Sequence, residues 1–256
     1  MQRSRTRREA VLAEIEVGGA DVDVLAARFG VSASTIRRDL QELSRRRAVM
    51  RTYGGAVPAP AEMSIAEDSL RSRRTLNRAA KAAIAAAALA LLRNGERLIL
   101  DGGSTVEALG RGLRERRHLV ITSNLPMITL LAEAPGIDLL VLGGAVRPIS
   151  MSTTGPLAEQ ALRQMTADRC FLGADGVVAG RGLCEATLEQ VSLKLLMMAQ
   201  AKELFVLADA SKLGRAGQPC WAPIERPWTL ITDASATAEQ CAPFEQSGTR
   251  VIRAAR

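Results

Sequence analysis

Histidine occurs once in this 256-residue chain, at His118, and aromatic residues supply only 3% of it. A single imidazole leaves little scope for Ser-His-Asp or Cys-His catalysis, in which a base must stand beside the nucleophile. The four cysteines, Cys170, Cys184, Cys220 and Cys241, include no CxxC pair. Structural zinc sites draw on close-spaced Cys and His, so no metal or other cofactor is expected, and the thiols read as buried or incidental groups of a reducing compartment. Long apolar runs are missing too. The longest, Ala82 to Leu92, lies between Lys81 and Arg93, well short of the roughly 20 residues that cross a bilayer. The opening MQRSRTRREAVL is basic but is followed by neither an apolar core nor a small-residue cleavage site. No signal peptide is read, and a cytoplasmic protein without membrane partners is expected.

Hydrophobic residues make up 47% of the chain, enough for a real core, and the length suits one large domain beside a small one. Lysine is scarce: four of the 34 basic residues, the rest being arginine. The formal net charge of +7 favours polyanionic partners. Between Arg28 and Arg51, seven arginines face only Asp39 and Glu42, a local excess of five positive charges. A bias toward arginine explains the residue type but not the clustering.

Around that cluster the pattern is helical. Val11, Leu12 and Ile15 share a face of residues 5–17, and Gly18 and Gly19 stop the helix. Asp21 or Asp23 can cap a short second helix with apolar Val24, Leu25 and Phe29. Gly30 suits a tight turn, and Ser32 can cap a third helix, ASTIRRDLQELSRRR. In that helix Ile36, Leu40 and Leu43 fix the inward face. Ser34, Arg38, Gln41 and Arg45 then fall opposite, with Thr35 and Arg37 on the flanks. Small polar residues at the N-terminal end permit close approach to a major groove, and arginines beside them can read guanine or grip phosphate. Residues 49–52 and 56–57 read as two short strands around Tyr53, Gly54 and Gly55, a wing whose Arg51 and Tyr53 could touch flanking DNA backbone. The plainer alternative is a solvated basic helix in an ordinary three-helix bundle. Turn glycine, polar cap, charge cluster and hairpin occurring together favour DNA.

The stretch VDVLAARFGVSASTIRRDLQELSRRRAVMRTYGGA resembles the DeoR-family winged helix-turn-helix, above all in VSASTIRRDL and in the wing RTYGGA, where Tyr53 stands at a position that is His in many members. The resemblance implies a sequence-specific DNA binder, most often a repressor of sugar-catabolic operons.

Pro58 and Pro60 begin a linker. Arg71, Arg73, Arg74, Arg78 and Lys81 then lead into an Ala-rich helix that ends at Gly95. This basic run reads as the wet end of a helix, or less readily as phosphate contacts near a hinge. We place a DNA-binding domain at 1–58, a linker at 59–75 and a second domain at 76–256. In the second domain seven short apolar runs, at 98–101, 119–123, 138–144, 170–176, 203–209, 230–233 and 250–253, alternate with helical stretches. Their continuous hydrophobicity predicts strands buried on both faces, hence a mainly parallel α/β sheet. Open α/β sheets bind ligands beyond the strands' carboxyl ends, where polar and glycine residues collect here. Asp101, Gly102, Gly103, Ser104 and Thr105 follow the first run and open a helix, a natural phosphate cradle. Thr122, Ser123 and Asn124, then Gly143 and Gly144, then Asp175 and Gly176, then Asp209 and Lys212 follow later runs. Lys194 is a further candidate, since lysine is otherwise so rare. Each motif alone can be a capped turn or a hairpin entry; together at one rim they favour a pocket.

The pattern DGGST, TSNL, LGG, FLGADG, VSLK and LADASKLG also resembles the DeoR-family C-terminal sensor domain, whose fold is related to ribose-5-phosphate isomerase. The resemblance implies that Asp101, Ser104 and Thr105 hold a phosphate and that Asp175, Lys194 and Lys212 meet sugar hydroxyls or phosphate. It covers Thr122 and Ser123 less well, because many members have Thr-Asn there. A homo-oligomer, dimer or tetramer, associated through the second domain is expected, binding a double-stranded operator and a phosphorylated sugar or related small metabolite. An isomerase carrying a DNA-binding module is the competing class. Sugar isomerisation needs a carboxylate base, and Lys194 occupies the place of the isomerases' catalytic glutamate, with Glu185 and Glu189 nearby. A constitutive DNA-packaging protein would explain the charge but not the loop cluster. A regulator that is not an enzyme is therefore expected.

Overall fold

A computed structural model describes residues 7–8, 10–15, 20–45, 49–52, 55–58 and 67–255. The chain divides into two units, Met1–Ala66 and Glu67–Arg256.

In the first unit, helix α1 (helical at 7–8 and 10–15) buries Val11 and Ile15. Asp21 closes strand β1 (Ala20–Asp21) and caps helix α2 (Val22–Phe29), its carboxylate accepting from the Asp23 amide at 2.8 Å. The helix stops at Gly30, whose φ of 62° is the left-handed conformation that glycine adopts without penalty. Val22 and Leu25 face the core, whereas Val24 is exposed. Hydrophobicity alone groups it with Leu25, but two positions past Val22 turns it roughly 200° around the axis. Helix α3 (Ala33–Arg45) buries Ile36, Leu40 and Leu43 as its periodicity predicts. Strands β2 (Val49–Arg51) and β3 (Gly55–Pro58) pair antiparallel, and β1 adds to β3 to give the order β1-β3-β2. The two-residue β1 is too short for a sequence signal. It explains Gly55, because the Ala20 carbonyl oxygen lies 2.4 Å from where a Cβ would stand.

The second unit is a three-layer α/β/α arrangement. All seven expected runs are strands: β4 (Arg97–Leu100), β5 (His118–Thr122), β6 (Ile137–Val141), β9 (Ala167–Leu172), β12 (Ala201–Leu207), β14 (Thr229–Asp233) and β15 (Arg250–Ala254). They form one sheet, β15-β14-β12-β9-β4-β5-β6, with every pairing parallel. Alternate residues serve opposite faces. Leu98, Leu100, Val120, Phe171, Phe205, Leu207 and Ile231 pack with helices α5 (Arg78–Ala90), α6 (Ser104–Arg111) and α7 (Pro126–Leu131). Ile99, Ile121, Cys170, Leu172, Leu204, Val206 and Leu230 pack with α8 (Pro156–Arg163), α9 (Leu188–Ala199) and α10 (Ala238–Gln246). The edge strand β6 departs from two-sided burial, since Leu140 and Val141 are exposed. Two smaller elements complete the unit: the hairpin β7 (Ala145–Arg147) with β8 (Ser152–Thr154), for which Gly143 and Gly144 are the entry, and an antiparallel sheet of β10 (Gly176–Val178), β11 (Gly182–Glu185) and β13 (Cys220–Ala222), which the sequence reading does not include.

Residues 67–75, expected within the linker, belong to the second unit, where helix α4 (Leu70–Thr75) buries Leu70. The basic run is not simply a wet helix end: Lys81 is buried, and Arg73 and Arg74 are ion-paired within the unit. Among the described residues, no helix is long and apolar enough to cross a membrane.

Candidate functional site

Two sites emerge, one in each unit. On α3 the Ser32 hydroxyl accepts from the Thr35 amide at 3.3 Å and lies 2.9 Å from the hydroxyls of both Ser34 and Thr35. Arg37, Arg38 and Gln41 are exposed. Asp39 is buried, its carboxylate accepting from Arg7 Nε at 2.6 Å. The helix therefore turns one acidic charge inward and keeps Arg37 and Arg38 outward, the polarity a phosphate-facing surface needs. Arg45 closes α3 and Arg51 closes β2; Tyr53 lies outside the described residues.

The second site is a cavity at the carboxyl ends of the parallel strands. Its walls include Asp101, Gly103, Ser104, Thr105, Ser123, Asp175, Lys194, Asp209 and Lys212, nine of the fourteen residues picked from sequence. Helix α6 begins here at Gly103, whose φ of 112° suits glycine and whose lack of a side chain leaves the helix start without a cap of its own. Free amides, the positive end of the helix dipole and the hydroxyls of Ser104 and Thr105 together suit an anion. Lys212 also lines the cavity, and its ammonium has no hydrogen-bond or ion-pair partner among the described residues.

A second part of the cavity is rich in carboxylates. Lys194 Nζ donates to Asp101 Oδ2 and, at 2.7 Å, to the Gly173 carbonyl, and stands 3.2 Å from Glu185 Oε1. Burial works against this ammonium, yet Asp101 and Glu185 hold its pKa above the ordinary lysine value. Lys194 stays protonated and cannot serve as a base. Burial pushes the Glu185 carboxyl up to about 8, against the pull of Lys194. Glu189 is exposed and stands outside the cavity lining. Asp175 Oδ2 and Gln190 Oε1 are buried without hydrogen-bond partners among the described residues. Both are acceptors, so this part of the cavity suits a ligand that donates.

Five predicted residues shape the loops instead of lining the cavity. Thr122 donates to the Leu100 carbonyl at 2.6 Å, and Asn124 donates to the carbonyls of Asp101 at 3.3 Å and Gly103 at 3.4 Å, supporting the cradle from behind. Gly143 and Gly144 lead into the β7–β8 hairpin; a Cβ on Gly144 would stand 2.4 Å from the Thr154 carbonyl oxygen. Gly176 starts β10 against the Arg215 backbone. Asp209 has a double role, lining the cavity while its carboxylate accepts from the Ser211 amide at 3.2 Å and Asn77 Nδ2 at 2.9 Å. Sequence reasoning missed Arg73, Asn77, Lys81, Ser152 and Glu185 as lining residues. No local signal marks them as such: Lys81 follows Arg78 in the first turns of an Ala-rich helix, where a solvated cation would equally stand. Burial lowers the Lys81 pKa against the pull of Asp209, and its Nζ donates to the Leu76 carbonyl at 2.8 Å.

Residues 76–234 match the DeoR C terminal sensor domain, and residues 7–60 match the DeoR-like helix-turn-helix domain. The chain belongs to the DeoR family. A putative aga operon transcriptional repressor of Escherichia coli is 32% identical, over 96% of this chain and 92% of that protein. The transcriptional repressor AccR of Agrobacterium fabrum is 33% identical, over 82% of this chain and 81% of its own. Ribose 5-phosphate isomerase A of Methanocaldococcus jannaschii aligns at 22% identity with a TM-score of 0.40, over 53% of this chain and 54% of that one, too weak a likeness to argue from. This DeoR-family chain is thus a DNA-binding transcriptional regulator with a sensor domain, and not an enzyme.

Proposed function

We propose that the chain represses its target operon by binding operator DNA through α3 and the wing, and releases it when a phosphorylated sugar fills the cavity. Ser32, Ser34, Thr35, Arg37, Arg38 and Gln41, with Arg45, Arg51 and Tyr53, form the DNA surface in this reading. The names of relatives as repressors, one of an aga operon, support the sign and the class of target. The observation that carries the ligand assignment is the uncapped start of α6 at Gly103, sharing one cavity with Lys212 and with the unpartnered acceptors Asp175 Oδ2 and Gln190 Oε1. An anion on the first and hydroxyl donors on the second describe a sugar phosphate. Association of two or more chains through their second units would present paired recognition helices to repeated half-sites. The ligand shifts DNA affinity by as much as it prefers one arrangement of the assembly.

A thermal-shift screen against a panel of sugar phosphates tests the assignment. A ligand at about 100 times its dissociation constant should stabilise the protein by about 2.7 kcal/mol. Lys212→Ala should remove that stabilisation while leaving DNA binding in place. Stabilisation that survives Lys212→Ala unchanged would exclude this cation from the site, and a panel without any response would reject the ligand class.

A further inference from the structure

Resting on the reading that the cavity takes an effector, we propose that Arg73 couples its occupancy to the segment that arrives from the DNA-binding unit. The Arg73 side chain is only 14% exposed and lies between two carboxylates. Its Nη1 is 3.4 Å from Asp175 Oδ1, and its Nη2 is 3.5 Å from Glu67 Oε1. Asp175 lines the cavity, and its second oxygen is buried without a partner. Glu67 is the first residue of the second unit, so it is where the chain enters from residues 59–66. Its side chain is 4% exposed and held by Arg147, whose Nη1 donates to Oε1 at 2.8 Å and whose Nη2 donates to Oε2.

The geometry makes Arg73 a shared group. Both of its contacts are at the long end of hydrogen bonding, and its Nε is buried without a partner. Neither carboxylate saturates the guanidinium. A ligand hydroxyl that donates to Asp175 Oδ2 takes up part of that carboxylate's charge, and Arg73 then moves toward Glu67. Buried ions respond strongly to such a loss because little water replaces the partner. A second route reaches the same residue. The β7–β8 hairpin supplies Arg147 to Glu67, places Ser150 and Ser152 in the cavity wall, and accepts from the Leu70 amide through the Ile149 carbonyl at 2.7 Å. Cavity and entry segment thus meet at Glu67, and Arg73 is the positioning residue between them.

Hydrogen exchange of residues 67–76 in the full-length chain is the direct readout. Without ligand, Asp175→Asn should change exchange of these amides several-fold, although the substitution lies about 100 residues away in sequence. Glu67→Gln should do the same, and the double variant should add little. Adding D-ribose 5-phosphate as probe should alter exchange of this segment in the wild type. In Arg73→Lys, whose ammonium cannot bridge both carboxylates in the plane of a guanidinium, the probe should still raise the melting temperature but leave the segment unchanged. Unaltered exchange in a folded Asp175→Asn chain would overturn the coupling. So would an unchanged probe response in Arg73→Lys. Failure of the probe to stabilise the wild type would count against the effector reading alone, since the Asp175→Asn comparison needs no ligand.

Discussion

Glu185, 3% exposed, shares the Lys194 ammonium with Asp101. Burial raises its folded-state pKa to about 8, above the 4.5 of an ordinary glutamate. A group shifted this way holds its proton in the folded chain after the unfolded chain has released it. Its contribution to stability is therefore full below about pH 4.5 and is lost as pH rises toward 8. Glu185→Gln mimics the protonated form, so its melting temperature relative to wild type should climb between pH 5 and pH 8 and level off above. Parallel pH profiles for the two proteins would mean that Glu185 does not titrate in this window. On α3, Arg37→Ala or Arg38→Ala should weaken operator binding by about 1–3 kcal/mol and relax sequence preference if the arginine reads a base. A footprint unaffected by both changes would place the DNA surface elsewhere. Arg37 and Arg38 were legible because they stand on a regular helical face, as Asp101 and Ser104 were because they flank motif glycines. Glu185, Arg73 and Lys81 were not, because the burial of a charge depends on partners far off in sequence, such as Lys194 for Glu185 and Asp175 for Arg73.

Elements differ in how strongly the chain announces them. The seven parallel strands are continuous apolar runs because helices cover both faces, and each was legible even where the edge strand β6 turned out half open. The hairpin β7–β8 and the strands β10, β11 and β13 are three or four residues long and partly polar, and β13 finds its partner β11 more than 30 residues back in sequence. Gly143 and Gly144 mark the entry to the hairpin, and nothing local marks the other three strands. The same holds for β1, whose existence is felt only through Gly55. Gly55→Ala would drive a Cβ into the Ala20 carbonyl, so the β1–β3 pairing should yield. The expected cost is about 1–3 kcal/mol, as for other overpacked sites, measured by chemical denaturation followed by far-UV circular dichroism. A neutral outcome would mean that β1 is dispensable to the wing.

At the scale of the whole molecule, a nine-residue core of Val11, Ile15, Val22, Leu25, Ile36, Leu40, Leu43, Val49 and Ala56 serves one unit, and two large clusters on opposite faces of the sheet serve the other. The split was visible as a change of periodicity, from helical spacing before Pro58 to apolar runs after Arg97; where the second unit starts was not, because α4 is held by ion pairs and a single buried leucine. The sheet order has a consequence for biosynthesis. Strands β4, β5 and β6 are translated first and already neighbour one another, and β9, β12, β14 and β15 then extend the opposite side in order of synthesis. A ribosome can therefore lay the sheet down by growth first at one margin and then at the other, with no need to open a finished pair. Until translation has passed β15, the second margin offers unpaired backbone from an apolar strand, so messages truncated within this interval should yield fragments that aggregate and depend on chaperones.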